Sequence, residues 1–394
     1  MFYQNLPVDR VYYGIHCVEQ ELISEIKLMN AEKILIVTSN SLLKSNTFKN
    51  MVQSLHAHDI KTFTICTKQH VPGSILFKNL KEIYHFSPDL IISCGGGSPI
   101  DAAKILSFCL AQGIKSEEDI YQYSDHTENN TSIIMESYIP HIAIPTTLSA
   151  SEFTSIAGVT NEKDQIKYKF SHLNMTPKFV FLDPVFTKDT PEWLWISTGI
   201  RAVDHAVETL YSPDPNPINT SLALQALKKL YIYLPLCKKE QTNLEYRLEC
   251  QLGAWLSLFS VVNIKLGLSH SIGHQLGSLF NIPHGITSAI MLPHVMRFLL
   301  PSTSREQALI TEVLENNERG NSIEEKAALA SKLIGDLIKK LEIPHKLRDY
   351  HIEKDSIHEL VRNILVDIRG EKNSFVLGSG DLHAEITNLL QQAW

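Results

Sequence analysis

No stretch of the 394-residue chain approaches the roughly 18 uninterrupted apolar residues that cross a bilayer as a helix. The N-terminus, Met1 to Asn5, also lacks the basic segment and apolar run of an export signal. Neither membrane insertion nor secretion is expected, and a cytoplasmic protein is. Positive charge is not in excess: 36 Lys and Arg stand against 43 Asp and Glu, a net charge of -7. That balance gives no electrostatic reason to bind nucleic acid or an anionic membrane, and leaves a small molecule as the expected partner. Cysteine is sparse. Cys17, Cys66, Cys94, Cys109, Cys237 and Cys250 form no CxxC pair and mostly lie among apolar residues, which reads as reduced core thiols. Internal repeats and low-complexity tracts are missing too.

What is there is ordinary globular material, 44% hydrophobic and 20% charged, in a chain long enough for two domains. Five short β-rich runs, Lys33 to Thr38, Lys61 to Cys66, Leu90 to Cys94, His141 to Ile144 and Phe179 to Leu182, are separated by segments of helical periodicity. Strands spaced in this way imply parallel βαβ units with helices on both faces. Beyond Asp183-Pro184 helical patterns dominate, as in Ser221 to Leu234 and Ile323 to Leu341. The expected architecture is a Rossmann-like α/β domain over 1–188 and an all-α domain over 189–394. The transition is marked by Pro184 and Pro191.

The most specific local pattern is Ser93-Cys94-Gly95-Gly96-Gly97-Ser98-Pro99-Ile100-Asp101, which follows an apolar strand and opens a helix. Three glycines put no Cβ between the backbone and a ligand. Loop N–H groups and the positive helix end can then hold a pyrophosphate. An isolated glycine triplet is as often a plain turn; the strand before it and the helix after it favour the phosphate reading. A row of hydroxyls, Thr146-Thr147-Leu148-Ser149, follows another strand and suits ribose or phosphate contacts, although such a loop also caps helices. At the end of the Ile34 to Thr38 strand stands Ser39, where dinucleotide folds often carry an acid for the ribose 2'-OH. A neutral residue there admits NAD and NADP alike. Lys167 adds a positive charge that could reach the cofactor, or be a solvated surface lysine.

In the second half, His270 and His274 are four residues apart and share a helix face, with His284 ten residues further on and His205 on another helical segment. A lone histidine is usually structural. Several of them after a dinucleotide-binding pattern point to a site.

Together, GGGSPIDAAK, IPTT, FLDP, GLSHSIGH and PHGITSAIMLPHVMRF resemble the iron-containing (group III) alcohol dehydrogenases from about Lys33 to Phe298. The resemblance implies the dehydroquinate synthase-like fold of that family, NAD(P) in a cleft between two domains, and a homodimer. Carried residue by residue, it assigns Gly95, Gly96, Gly97 and Ser98 to the pyrophosphate and Asp101, Thr146 and Thr147 to the cofactor path. It gives His205, His270 and His284 to a divalent iron or zinc, and His274 to the reacting carbon. The family's fourth ligand, an aspartate four residues before the first histidine, is here Arg201. A guanidinium removes an anionic ligand and places a cation beside the ion. Asp204 is no substitute, since one residue from His205 it points about 100° away. The maleylacetate reductase branch resembles this chain in lacking that aspartate. The expectation is therefore hydride transfer to a carbonyl or enone of a carboxylated substrate, with Arg201 as anchor and His274 or His270 as proton donor. A metal-dependent alcohol dehydrogenase and a non-catalytic nucleotide-binding homologue are the alternatives. Tyr13-Gly14-Ile15-His16 departs from the family pattern, and 301–394 matches loosely.

Overall fold

The structure, a computed structural model, describes residues 3–125, 138–213, 215–259, 261–315, 322–370 and 381–394, the side chains of 367–370 excepted. The chain divides into two compact units, Met1–Thr190 and Pro191–Trp394.

The first unit runs β1 (Arg10–Tyr13), α1 (Cys17–Leu28), β2 (Lys33–Ser39), α2 (Asn46–Ala57), β3 (Lys61–Thr67), α3 (Gly73–Phe77), α4 (Leu80–Phe86), β4 (Leu90–Gly95) and α5 (Gly97–Gln112). It continues with α6 (Glu117–Ile120), β5 (His141–Pro145), β6 (Ile156–Asn161), β7 (Ile166–Ser171) and β8 (Phe179–Leu182). Six strands form one parallel sheet in the order β1-β8-β5-β4-β2-β3. Parallel strands buried on both faces demand apolar residues at nearly every position, and β4 and β5 are buried throughout. One face packs Leu22 and Ile26 of α1 and Phe48, Met51 and Leu55 of α2 against Ile34, Ile36, Ile92 and Phe181. The other packs Ala102, Ile105, Leu106 and Cys109 of α5 against Leu35, Val37 and Ile91.

The strand order reverses between β2 and β4, which pair with Ile34 opposite Leu90 and Val37 opposite Ser93. In open α/β sheets the crevice at such a reversal, outside the carboxyl ends of the strands, is where ligands bind. Here those ends are Ser39 and Gly95.

The five strands read from the sequence are present, each ending within one residue of its expected end. Three were not read. β1 is a four-residue edge strand, and β6 and β7 form a separate antiparallel pair. β7 alternates Lys167 and Lys169 outward with a buried Phe170, which reads locally as a charged loop.

The second unit contains α7 (Glu192–Leu210), α8 (Pro217–Lys239), α9 (Leu244–Ser257), α10 (Leu268–Phe280), α11 (His284–Glu315), α12 (Ile323–Lys340), α13 (Ile357–Gly370) and α14 (Leu382–Ala393). Among the described residues it has no strand. Starts follow capping chemistry: Pro217 stands in the first turn of α8 behind the Asn216 cap, and Ser322 with Glu325 closes a capping box on α12. α11 carries Pro293 and Pro301 and bends at Thr303, whose φ of -128° is not helical. Among the described residues no single helix is long and apolar enough to cross a membrane. All six cysteines are free, and Cys237 of α8 lies 3.7 Å from Cys250 of α9, sulfur to sulfur.

Candidate active site

The candidate residues gather in two clusters, one in each unit. In the first, Gly95 ends β4, Gly96 precedes the first turn of α5, and Gly97 begins the helix. Gly95 has φ +154°, and a Cβ there would stand 2.5 Å from Cγ of Pro99. No side chain caps the first turn of α5, so its N–H groups and positive helix end remain for an anionic ligand. Thr146 N donates to Gly95 O at 2.9 Å, and the Thr147 side chain packs over Gly96. Ser149 flanks Gly97, and Ser151 Oγ donates to Asp101 Oδ1 at 2.6 Å. A backbone cradle that a Cβ would fill, ringed by hydroxyls, fits a dinucleotide's phosphates. Ser39 ends β2, where its hydroxyl bonds Ser41 Oγ at 2.9 Å. Lys167 belongs to the separate β6-β7 sheet, exposed, its stem laid over Gly158.

Lys104 was not read from the sequence as a site residue. It is fully buried on α5, and its ammonium donates to Ser151 O, Thr154 O, Thr154 Oγ1 and Ile156 O at 2.6 to 3.0 Å. Four acceptors on one short loop make it the staple that shapes the hydroxyl row against the glycine turn. Burial lowers its pKa to about 8 and raises that of the buried Glu152 to about 7.

In the second unit α7, α10 and α11 converge. Gly285 of α11 lies so close to α7 that a Cβ would fall 2.1 Å from Ser197 O. One turn along each helix, Arg201 Nη1 donates to Ser288 Oγ at 3.1 Å. Arg201 is 8% exposed and sits 3.6 Å from Asp204 Oδ2. Asp204 Oδ2 in turn accepts from Ser288 Oγ at 2.5 Å and from Ser269 Oγ at 3.0 Å. Among the described residues Nε and Nη2 of Arg201 have no hydrogen-bond partner.

Glu208, two turns from Arg201 on α7, does what the sequence before α10 cannot. Gly267 offers that helix no capping side chain, and the Glu208 carboxylate accepts from Gly267 N and Ser269 N at 2.6 and 2.7 Å. It also accepts from His270 Nδ1 at 2.5 Å. Burial raises the Glu208 pKa to about 7; while the carboxylate is ionised, this bond keeps the proton on Nδ1 and leaves Nε2, which has no partner, as a lone pair. Burial, then the Arg201 charge, holds the His270 pKa well below the usual imidazole range. His270, one of two expected proton donors, therefore presents an acceptor. His205, likewise held low by burial, stacks on His270 with ring centroids 5.0 Å apart, and its Nδ1 has no partner. His274 is exposed and meets the half-buried His284 edge to face at 5.7 Å.

The expected metal set is not what the structure gathers. Among the described residues, one group of three has its ligand atoms mutually within 4.8 Å, and it is Asp204, Glu208 and His270 rather than His205, His270 and His284. In that group both Glu208 oxygens already accept N–H groups, Asp204 Oδ2 accepts two hydroxyls, and Arg201 stands 3.6 Å away. Asp204 Oδ1 and His270 Nε2 are left open, but a buried guanidinium 3.6 Å from the Asp204 carboxylate repels a divalent ion there. Asp204 faces Ser269 and Ser288, and of the two Ser288 also holds Arg201.

An α/β unit with a phosphate cradle joined to a helical unit with clustered imidazoles is the build of a nicotinamide-dependent dehydrogenase. The sequence pattern of iron-containing alcohol dehydrogenases matches residues 8–184, and that of the family's C-terminal domain matches residues 195–394. The chain belongs to the iron-containing alcohol dehydrogenase family, and is an NAD(P)-dependent dehydrogenase or reductase. It is 29% identical over 314 residues to maleylacetate reductase of Pseudomonas sp. strain P51, covering 80% of each chain. It is 30% identical over 370 residues to NADPH-dependent butanol dehydrogenase of Clostridium saccharobutylicum, covering 93% of this chain and 90% of that one. Among solved structures, a 1,3-propanediol oxidoreductase superposes with a TM-score of 0.90 at 26% identity over the full length of both chains.

Proposed function

We propose that the protein reduces a carbonyl or activated double bond of a small carboxylated substrate, in the manner of a maleylacetate reductase and without a metal. The observation that carries this reading is Arg201, a buried guanidinium whose Nε and Nη2 are unpartnered beside the bare Nε2 of His270. Ser288 and Asp204 hold one edge of the guanidinium, and its other edge offers two N–H groups in the geometry of a bidentate carboxylate. The likeness to maleylacetate reductases of several organisms supports the same direction.

NAD(P)H, when bound, supplies a hydride from the nicotinamide C4. Residues 1–188 hold the dinucleotide, with Gly95 to Ser98 on the pyrophosphate, Asp101, Thr146 and Thr147 along its path, and Ser39 and Lys167 at its periphery. Residues 189–394 hold the substrate. Arg201 anchors the carboxylate, fixed by Ser288 and Asp204 on its other edge. His270, an acceptor at Nε2, takes a hydrogen bond from a hydroxyl group, such as that of the alcohol formed from a carbonyl, or from a water beside it. His274, exposed and outside the Glu208 network, delivers the proton. A cytoplasmic homodimer acting on small molecules, with no nucleic-acid or membrane partner, completes the proposal.

The test is a panel of oxo acids, enoic acids and uncharged aldehydes, run with both reduced dinucleotides before and after chelation. Activity on the acids should survive chelation. In Arg201→Ala, kcat/KM on the acids should fall by about 10- to 100-fold, the worth of a charge-assisted bond, while neutral substrates are spared. Activity that disappears on chelation and returns with iron or zinc would overturn the metal-free part. Full kcat/KM of Arg201→Ala on every acid would remove the anchor.

A further inference from the structure

The helical unit carries a second concavity, of about 550 Å³, between α11, α12 and the segment that follows α12. Its floor is apolar, with Ile290, Pro293 and Ile338 buried. The walls are not: Arg297, Lys332, Lys339 and Lys346 line it, with Asp336 as the one carboxylate. In a chain whose net charge is -7, four full cations against one acid in a single hollow is a local reversal of sign.

These charges are poorly compensated. Lys339 reaches Asp336 only at 3.7 Å, with both exposed. Among the described residues Arg297, Lys332 and Lys346 have no carboxylate within ion-pairing distance. Arg297 instead spends Nη2 on the neutral imidazole of His294, 2.9 Å from its Nδ1. The His294 pKa is pushed down to about 4 by burial and by Arg297, His345 and Lys346, which face it from α11 and from beyond α12. The hollow is large enough for a small ligand. His294 lies ten residues, about 15 Å of helix, beyond His284, so this is not the substrate cluster.

We propose that this hollow is a binding site for a small polyanion, a molecule with two or more phosphate or carboxylate groups and an apolar portion that rests on Pro293 and Ile290. Arg297 and Lys346 are its principal anchors, and Lys332 and Lys339 its rim. Screening by salt should weaken it steeply.

Calorimetry on the full chain with pyrophosphate, and separately with citrate, tests this. The comparison is between the wild type, the double variant Arg297→Glu/Lys346→Glu, and a control with the same net charge, Lys115→Glu/Lys188→Glu, altered at exposed lysines of the first unit. Any uptake at the glycine turn is common to the wild type and the pocket variant, whose first units are identical, and cancels between them. The expected result is a binding event at least tenfold weaker in the pocket variant and retained in the control. Retention with pyrophosphate alone assigns phosphate, with citrate alone carboxylate, and with both the shared chemistry. Equal binding by the wild type and the pocket variant, equal weakening in the control, or no uptake of either probe by the wild type would overturn the proposal. Matching circular-dichroism melts of the three proteins establish that each is folded.

Discussion

Glu208 shows how much of a site can rest on a residue that touches no substrate. Its carboxylate closes the start of α10 and sets the tautomer of His270 at the same time. In Glu208→Gln the amide must turn a donor toward one of three N–H groups, so one contact becomes repulsive. We expect kcat/KM to fall by about 10- to 100-fold, the usual effect of losing a group that orients a histidine, with the KM for NAD(P)H unchanged. Equal loss in cofactor KM would show a folding defect instead. Lys104→Met orphans the acceptors of the hydroxyl loop. It should cost about 2–4 kcal/mol in denaturant unfolding and raise the cofactor KM more than it lowers kcat. Neither residue was legible in the sequence, for the same reason. An acid or lysine on an amphipathic helix reads as surface, and only tertiary partners from 59 or 47 positions away reveal the buried role. Arg201, the serine and threonine row and the glycine turn were legible because each sits in an ordered motif. What the motif did not tell was that Ser288 and Asp204 hold Arg201, or that His270 is turned into an acceptor.

At the scale of elements, the parallel strands were read well because burial on both faces leaves unbroken apolar runs. β1 escaped because an edge strand of four residues with a half-polar pattern carries little signal. β6 and β7 escaped because a solvated hairpin alternates charges as a loop does. Helix contacts are another matter, since nothing in a sequence says which two helices meet backbone to backbone. Gly285 records such a meeting. A methyl group there must push Ser197 away, so Gly285→Ala should destabilise the fold by about 1–3 kcal/mol and also lower kcat/KM on the proposed carboxylated substrates. A variant as stable and active as the wild type would mean that α7 and α11 have more room than the structure gives them.

For the molecule as a whole, acid should act through His141, buried in β5 with Nε2 2.7 Å from Ser93 Oγ. Burial, then the Lys104 charge, pushes its pKa down to about 3. The unfolded chain takes up this proton below about pH 6.5 and the folded chain does not. The stabilising contribution is therefore complete above pH 6.5 and is lost as the pH falls toward 3, at up to about 1.4 kcal/mol per pH unit. Melting followed from pH 7 to 4 should show a shallower decline for His141→Asn than for the wild type. Parallel curves would mean that the imidazole becomes protonated without unfolding.

The contact of Gly285 with Ser197 bears on how such a protein can diverge. With the two backbones already touching, the spacing of α7 and α11 is not a variable that substitution can widen a little at a time. What can change is the side chain one turn up, at position 201, which meets Ser288 across a gap of constant width. With Arg201 as the proposed anchor, swapping an acid for a guanidinium at that single place would redirect the chemistry while every supporting helix stays where it was. Substrate preference within this scaffold is accordingly expected to move in steps, by exchange of charge, rather than by gradual reshaping.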